Sequence, residues 1–152
     1  MPDWLVVAAA VAAAALAGCA GGRQTRRDVY LNLMTPAQQA EYRTMEKEAK
    51  PASLRLAYVQ GIGVYQKWAE QPIEVQEAIL RREVRPGMTP IQVRMALGEP
   101  DRTEETAPSA DGADGQAGQV WYYGVRKRRR APDDYERAVA FLGGQVLWVR
   151  DR

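Results

Sequence analysis

The stretch Arg85 to Pro100 constrains the fold more than any other part of this chain, because it writes both ends of one helix. Thr89 is a side-chain cap, Pro90 suits a first turn that needs no backbone N–H, and Gln92 sits where it can reach back to the cap. Val93 and Leu97 fall one turn apart and predict a single apolar face. Gly98 can take the left-handed conformation that ends a helix, and Pro100 prevents its continuation. The same Met-Thr-Pro-x-Gln start occurs at Met34 to Gln38. It predicts an earlier helix running to about Ala49 and stopping before Pro51. The residues after the two starts differ, so these are two similar caps and not a repeat.

Other helical signals fall between these two. Ser53 predicts a start for an apolar stripe of Leu54, Tyr58, Ile62, Tyr65 and Ala69, interrupted by Gly61 and Gly63. Pro72 opens a further segment in which Val75 and Ile79 share a face. Residues 28–83 are therefore expected to form a helical segment whose aromatic side chains serve as core. Residues 84–152 are expected to form a second, α+β unit.

Beyond Pro100 the pattern changes to strands. Asp101 to Ala107 is a first candidate, and Pro108 to Gln119 is expected to be a mobile loop rich in Ser, Ala, Asp and Gly. Its Asp111-Gly112-Ala113-Asp114-Gly115 lacks the alternating oxygens and closing glutamate of a calcium loop. Val120 to Val125 is a strand by its β-branched and aromatic content. Arg137 to Leu142 and Gln145 to Arg150 flank Gly143-Gly144, a two-residue turn that tolerates positive φ. Simple alternation puts Phe141, Val146, Val139 and Trp148 on one face. It puts Ala138, Ala140, Leu147 and Val149 on the other. Both faces are apolar, so the second is expected to lie under the N-terminal helices, the alternative being an exposed partner site.

The chain begins with an alanine-rich apolar run, Trp4 to Leu16, that ends in Leu16-Ala17-Gly18-Cys19 and the only cysteine. The run is shorter than the roughly 20 apolar residues of a spanning helix. With small residues behind it, it reads as a removable export signal over residues 1–18. Its leading region carries Asp3 and no Lys or Arg, so the start amine is its only cation. Residues 19–27 then read as a tether, with Gly21-Gly22 flexible and Arg23, Arg26 and Arg27 cationic. Such a tether spans roughly 16 Å.

Composition narrows the chemistry. A single cysteine allows no internal disulfide, and the absence of histidine removes the commonest neutral-pH base and metal ligand. Ser53 and Ser109 are the only serines, so no nucleophilic triad can be assembled. Asp133 and Asp134 are adjacent and point apart in an extended segment. The expectation is a non-catalytic protein with no cofactor and no metal. A net charge of +2 does not mark a nucleic-acid protein. The one concentrated charge is Arg126, Lys127, Arg128, Arg129 and Arg130. This run is a candidate site for phosphate headgroups or an acidic protein surface, the alternative being a solvated loop.

The tetrapeptide Leu16 to Cys19 resembles the lipobox of bacterial lipoprotein precursors. The resemblance implies a diacylglyceryl group on Cys19, cleavage just before it and a membrane-anchored mature chain. Ala20, where an inner-membrane retention signal has Asp, implies the outer membrane facing the periplasm, with the periplasmic side of the inner membrane as the alternative. From Val84 onward the order of signals resembles the BamE-like (SmpA/OmlA) domain. Those signals are Gly87-Met88-Thr89, Val93, Leu97-Gly98-Glu99-Pro100, Trp121-Tyr122-Tyr123, Val139-Ala140-Phe141 and Gly144-Gln145-Val146. This implies an α+β fold with helices on a small three-stranded antiparallel sheet, and residues 28–83 as an added helical segment. The implied role is a protein-binding accessory factor in envelope or outer-membrane protein assembly that also contacts anionic lipid. The alternative is a structural lipoprotein that recruits or inhibits an unrelated periplasmic partner.

Overall fold

The computed structural model describes residues 22–106, 118–125 and 135–152. Six helices come first: α1 Arg26–Leu33, α2 Pro36–Lys47, α3 Ala52–Gly61, α4 Val64–Ala69, α5 Ile73–Leu80 and α6 Pro90–Leu97. Four strands come after them: β1 Arg102–Thr106, β2 Gly118–Tyr123, β3 Arg137–Leu142 and β4 Gln145–Asp151. The class is α+β, as the sequence predicts.

Local chemistry sets the helix starts. Thr35 with Gln38 and Thr89 with Gln92 form the expected reciprocal caps of α2 and α6. A third capping box, Thr25 with Asp28, opens α1, which the sequence reading places inside a tether. α3 begins not at Ser53 but directly after Pro51, and α5 likewise starts after Pro72. Neither has a side-chain cap. The proline ring presets the backbone instead. Gly63 breaks the predicted stripe between α3 and α4 by adopting a left-handed conformation (φ 75°, ψ 4°). The break turns Leu54 outward, to 54% exposure, and leaves Val59, Val64 and Trp68 as the buried residues.

The sheet is an antiparallel meander in the order β1-β2-β3-β4. It has four strands, one more than the resemblance implies. The extra strand is β1, Arg-Thr-Glu-Glu-Thr, an edge strand whose last four residues are all exposed. Charged, short edge strands resist unwanted pairing, and for the same reason they offer no apolar alternation to read.

All the helical layer lies on one sheet face. Val29, Val59, Ile79, Val93 and Met95 share a core with Trp121, Val139, Phe141 and Val146. Trp121 and Phe141 meet at 4.6 Å between ring centroids. Residues 28–83 and 84–152 therefore share one core. Contrary to the expectation from alternation, the helices do not cover the second face. That face carries its own cluster of Val120, Tyr135, Ala138 and Ala140, flanked by Tyr122, Val125 and Trp148.

The hairpin turn is as predicted, with Gly143 and Gly144 both at positive φ (58° and 76°). The register beyond it is not. A bulge pairs Phe141 with Val146 but Ala140 with Trp148, which leaves Leu147 as the extra residue. Trp148 consequently joins Ala140 on the second face and Val149 packs toward the helices. One unpaired residue reverses every later side chain.

Two predictions test this packing. Phe141→Ala should cost about 3–5 kcal/mol of stability, whereas truncation of the bulged, exposed Leu147 should stay within about 0.5 kcal/mol. Equal melting shifts for the two would contradict the bulge.

The second concerns the ion pair joining α1 to α2. Arg27 donates to both carboxylate oxygens of Glu46, at 2.7 Å for the longer bond, and Arg55 lies 3.7 Å away. The Arg27 hydrogen bond holds the Glu46 carboxyl below its ordinary value of 4.5. A carboxyl lowered in the folded chain stabilises fully above its unfolded value and loses that contribution as pH falls through the folded one. Thermal midpoints should therefore decline from about pH 4.5 downward, and less steeply in Glu46→Gln.

Candidate functional site

Cys19 and Arg126 to Arg130, the residues singled out from sequence, lie outside the described residues, as do Asp133 and Asp134. The structure does describe the chain from Gly22 onward, and at Val125 and Tyr135 on either side of the segment that holds the cationic run. Its central element is a glutamine the sequence reading assigned to a tether. Gln24 is 4% exposed, and its backbone N–H donates to Leu80 O at 2.8 Å. Its side-chain amide donates to Ile79 O at 2.7 Å, Met95 O at 3.0 Å and Ala96 O at 3.2 Å. Asn32 on α1 adds a bond to Met95 O at 3.0 Å.

These acceptors belong to the last turns of α5 and α6, where helical carbonyls run out of backbone donors. Ile79 O also accepts from Arg82 N–H at 2.9 Å, and the buried primary amide adds donors for Met95 O and Ala96 O, which is why a polar side chain is tolerated there. Residues 24–27 thus belong to the fold and not to a tether. The sequence signal that could have found this is Thr25-Arg26-Arg27-Asp28, a capping box one residue after the glutamine.

The same pole of the molecule carries the ends of the sheet. α6 stops at Gly98 with φ 84° and ψ −160°; the φ is positive, but the residue lies outside the left-handed helical region the sequence predicts. That φ strains any side chain, and a Cβ there would also lie a tight 3.1 Å from the Asn32 side-chain oxygen. Gly98 O accepts a bond from the Tyr123 hydroxyl at 3.3 Å, and burial pushes that phenol well above its ordinary range, which keeps it a donor. Asp101 accepts from Val125 N–H at 3.1 Å, and Glu136 N–H donates to Tyr123 O at 3.0 Å. Arg137 pairs with Asp151 and donates to Arg82 O at 3.1 Å, which ties β3 to the end of α5. Gly22, Val125 and Tyr135 are therefore gathered at one end of the fold, around the last turns of α5 and α6.

At the other end the turn before α6 is joined to β4. Gly87 N–H donates to Val146 O at 2.8 Å, and Val146 N–H donates back to Met88 O at 2.7 Å. An open groove of about 320 Å³ lies there, lined by Val75, Ala78, Pro86, Met88 and Gln92. A second, of about 390 Å³, lies between α6 and β1, where Ile91, Pro100 and Trp121 meet the ion pair of Arg94 and Glu99. Neither joins a nucleophile to a base. Among the described residues no three His, Cys, Asp or Glu are grouped to hold a metal, and no helix is long and apolar enough to cross a membrane.

Comparison with family models, curated proteins and solved structures finds no match to this chain.

Replacing Gln24 by Ala should leave Ala96 O without its amide donor, while Ile79 O keeps Arg82 N–H and Met95 O keeps Asn32, and should lower stability by on the order of 1–3 kcal/mol. The measurement is denaturant unfolding, read together with amide exchange at the α5 and α6 C-termini. Unchanged exchange at both ends would contradict the role assigned to this amide.

Proposed function

We propose that this chain is a non-catalytic, lipid-anchored envelope lipoprotein with a BamE-like α+β domain, which acts by binding protein at the membrane surface. Cys19 is the anchored residue. Arg126, Lys127, Arg128, Arg129 and Arg130 form the cationic run that faces the headgroups or an acidic partner surface. The mature chain sits on the outer membrane facing the periplasm and serves envelope or outer-membrane protein assembly.

The observation that carries this reading is the common pole. The chain leaves the fold toward Cys19 at Gly22, held by Gln24. Val125 and Tyr135, which flank the cationic run, stand at that same end. A short connection to a bilayer would bring the run within reach of anionic headgroups, each cation being worth about 1 kcal/mol there. The family-like residues also hold positions of structural consequence, since Gly87-Met88 ties to Val146 and Leu97-Gly98 ends α6. One observation favours the second reading, a partner unrelated to barrel assembly. The helical segment is built into the core and the fourth strand extends the sheet at one edge, and both change the surfaces a three-stranded domain would offer.

Co-purification from detergent-solubilised envelopes tests the choice. Barrel-assembly subunits are expected with the wild-type chain; a different set of envelope proteins selects the second reading. Cys19→Ser should leave an uncleaved precursor without lipid. Normal processing and membrane retention of that variant would overturn the lipoprotein reading itself.

A further inference from the structure

The sheet has an open edge beside an open groove. β1 stands first in the strand order, and among the described residues β2 is the only strand that pairs with it. Its outer side therefore keeps backbone N–H and C=O groups, at alternate residues, free to pair with a further strand. The register fixes where its side chains point. Thr103 pairs with Trp121 and Glu105 with Gln119, which in turn pair with Val139 and Phe141, so both point to the helix side. α6 does not close against this edge. The groove of about 390 Å³ lies between them, with Ile91, Pro100, Thr103 and Trp121 along it, and Ile91 is 37% exposed. Glu104 points to the opposite face, where it accepts from the Tyr122 hydroxyl at 3.0 Å and lies 3.3 Å from Arg102. Glu105 is exposed and has no ion pair or hydrogen-bonded side-chain partner among the described residues.

We propose that β1 accepts a fifth, antiparallel strand from a protein partner, with an apolar side chain opposite Thr103 and a lysine or arginine opposite Glu105. In strand addition, backbone pairing supplies affinity and pockets beside alternate side chains supply selection. The side chain opposite Thr103 reaches over the groove toward Ile91. The one opposite Glu105 meets an unpaired carboxylate, and opposite charges paired across strands contribute about 0.2–1 kcal/mol. Along an antiparallel partner the motif is a cation followed two residues later by an apolar residue. The charges that discourage general pairing at this edge thus admit a complementary strand. A second copy of this chain suits the edge poorly. Full antiparallel pairing of β1 with itself sets Glu104 against Glu104 of the copy and Thr103 against Glu105, a like-charge pair with no cation for Glu105. This docking edge rests on the protein-binding reading and gives the partner segment its chemistry.

The test is fluorescence anisotropy with the full chain in neutral detergent and labelled peptides. Thr-Lys-Thr-Val-Thr should bind more tightly than Thr-Val-Thr-Lys-Thr, which has the same composition and charge but reverses the two contacts. N–H groups alternate across a strand, so methylating alternate amides of the first peptide in one phase should abolish binding, and in the other phase should leave it unchanged. Glu105→Lys should weaken the first peptide about fivefold with circular dichroism unchanged, and should gain about as much for Thr-Glu-Thr-Val-Thr. Should that variant unfold, the peptide order and the methylation phases still decide, because both use the wild-type chain. Equal binding of the two peptide orders, or of the two methylated peptides, overturns the proposal. Dimerisation of the wild-type chain in sedimentation that Glu105→Lys abolishes overturns it in favour of a second copy. Co-purified envelope proteins without binding of any peptide overturn this edge as the site but leave the protein-binding reading in place.

Discussion

A single buried amide holds this fold together where its two halves meet. Gln24 donates from its side chain to carbonyls of both α5 and α6, and its own N–H is fixed on Leu80. Helix C-termini are the usual weak points of a helical layer, because their last carbonyls have no intrahelical donor. Here two such ends are closed by one residue from a third segment, which then runs into α1 under its own capping box. The direction of α1, and with it the placing of Val29 against Val93 and Met95, depends on that attachment.

The sheet solves its two faces differently. Toward the helices it buries Trp121, Val139 and Phe141 in the common core. On the far face no helix is present among the described residues, and the cover is made from side chains alone. Small residues, Ala138 and Ala140, occupy β3, while Tyr122, Tyr135 and Trp148 lie around them with arginines above. Long cationic side chains can shield apolar surface with their stems and still present charge to water. The bulge at Leu147 makes this possible, because it brings Trp148 to that side.

How much the sequence disclosed depends on how local the physics was. The caps at Thr35 and Thr89, the stop at Gly98 and the Gly143-Gly144 turn are decided within a few residues, and each could be read directly. Trp148 could not, since a bulge leaves no mark in the alternation that precedes it. β1 was ambiguous because an exposed edge strand has no apolar pattern to show. The cover of the second face is not legible for a further reason: apolarity predicts burial but not what does the burying. Gln24 was hidden most completely. A buried polar residue is identified by its acceptors, and these lie more than fifty positions away along the chain. For the candidate site, sequence alone marks Cys19 and Arg126 to Arg130, while the structure describes only Gly22, Val125 and Tyr135 beside them.

The Gln24 attachment also determines how this protein would carry a mechanical load. Tension on the chain ahead of Gly22 reaches the fold through the Gln24 backbone bond and the amide bonds behind it. Those bonds enter two helices, so they resist as a group instead of opening in sequence like the rungs of a peeled strand. The strands themselves stay out of the line of pull. A protein held at that end could be tugged or jostled while the geometry of its sheet face stayed constant.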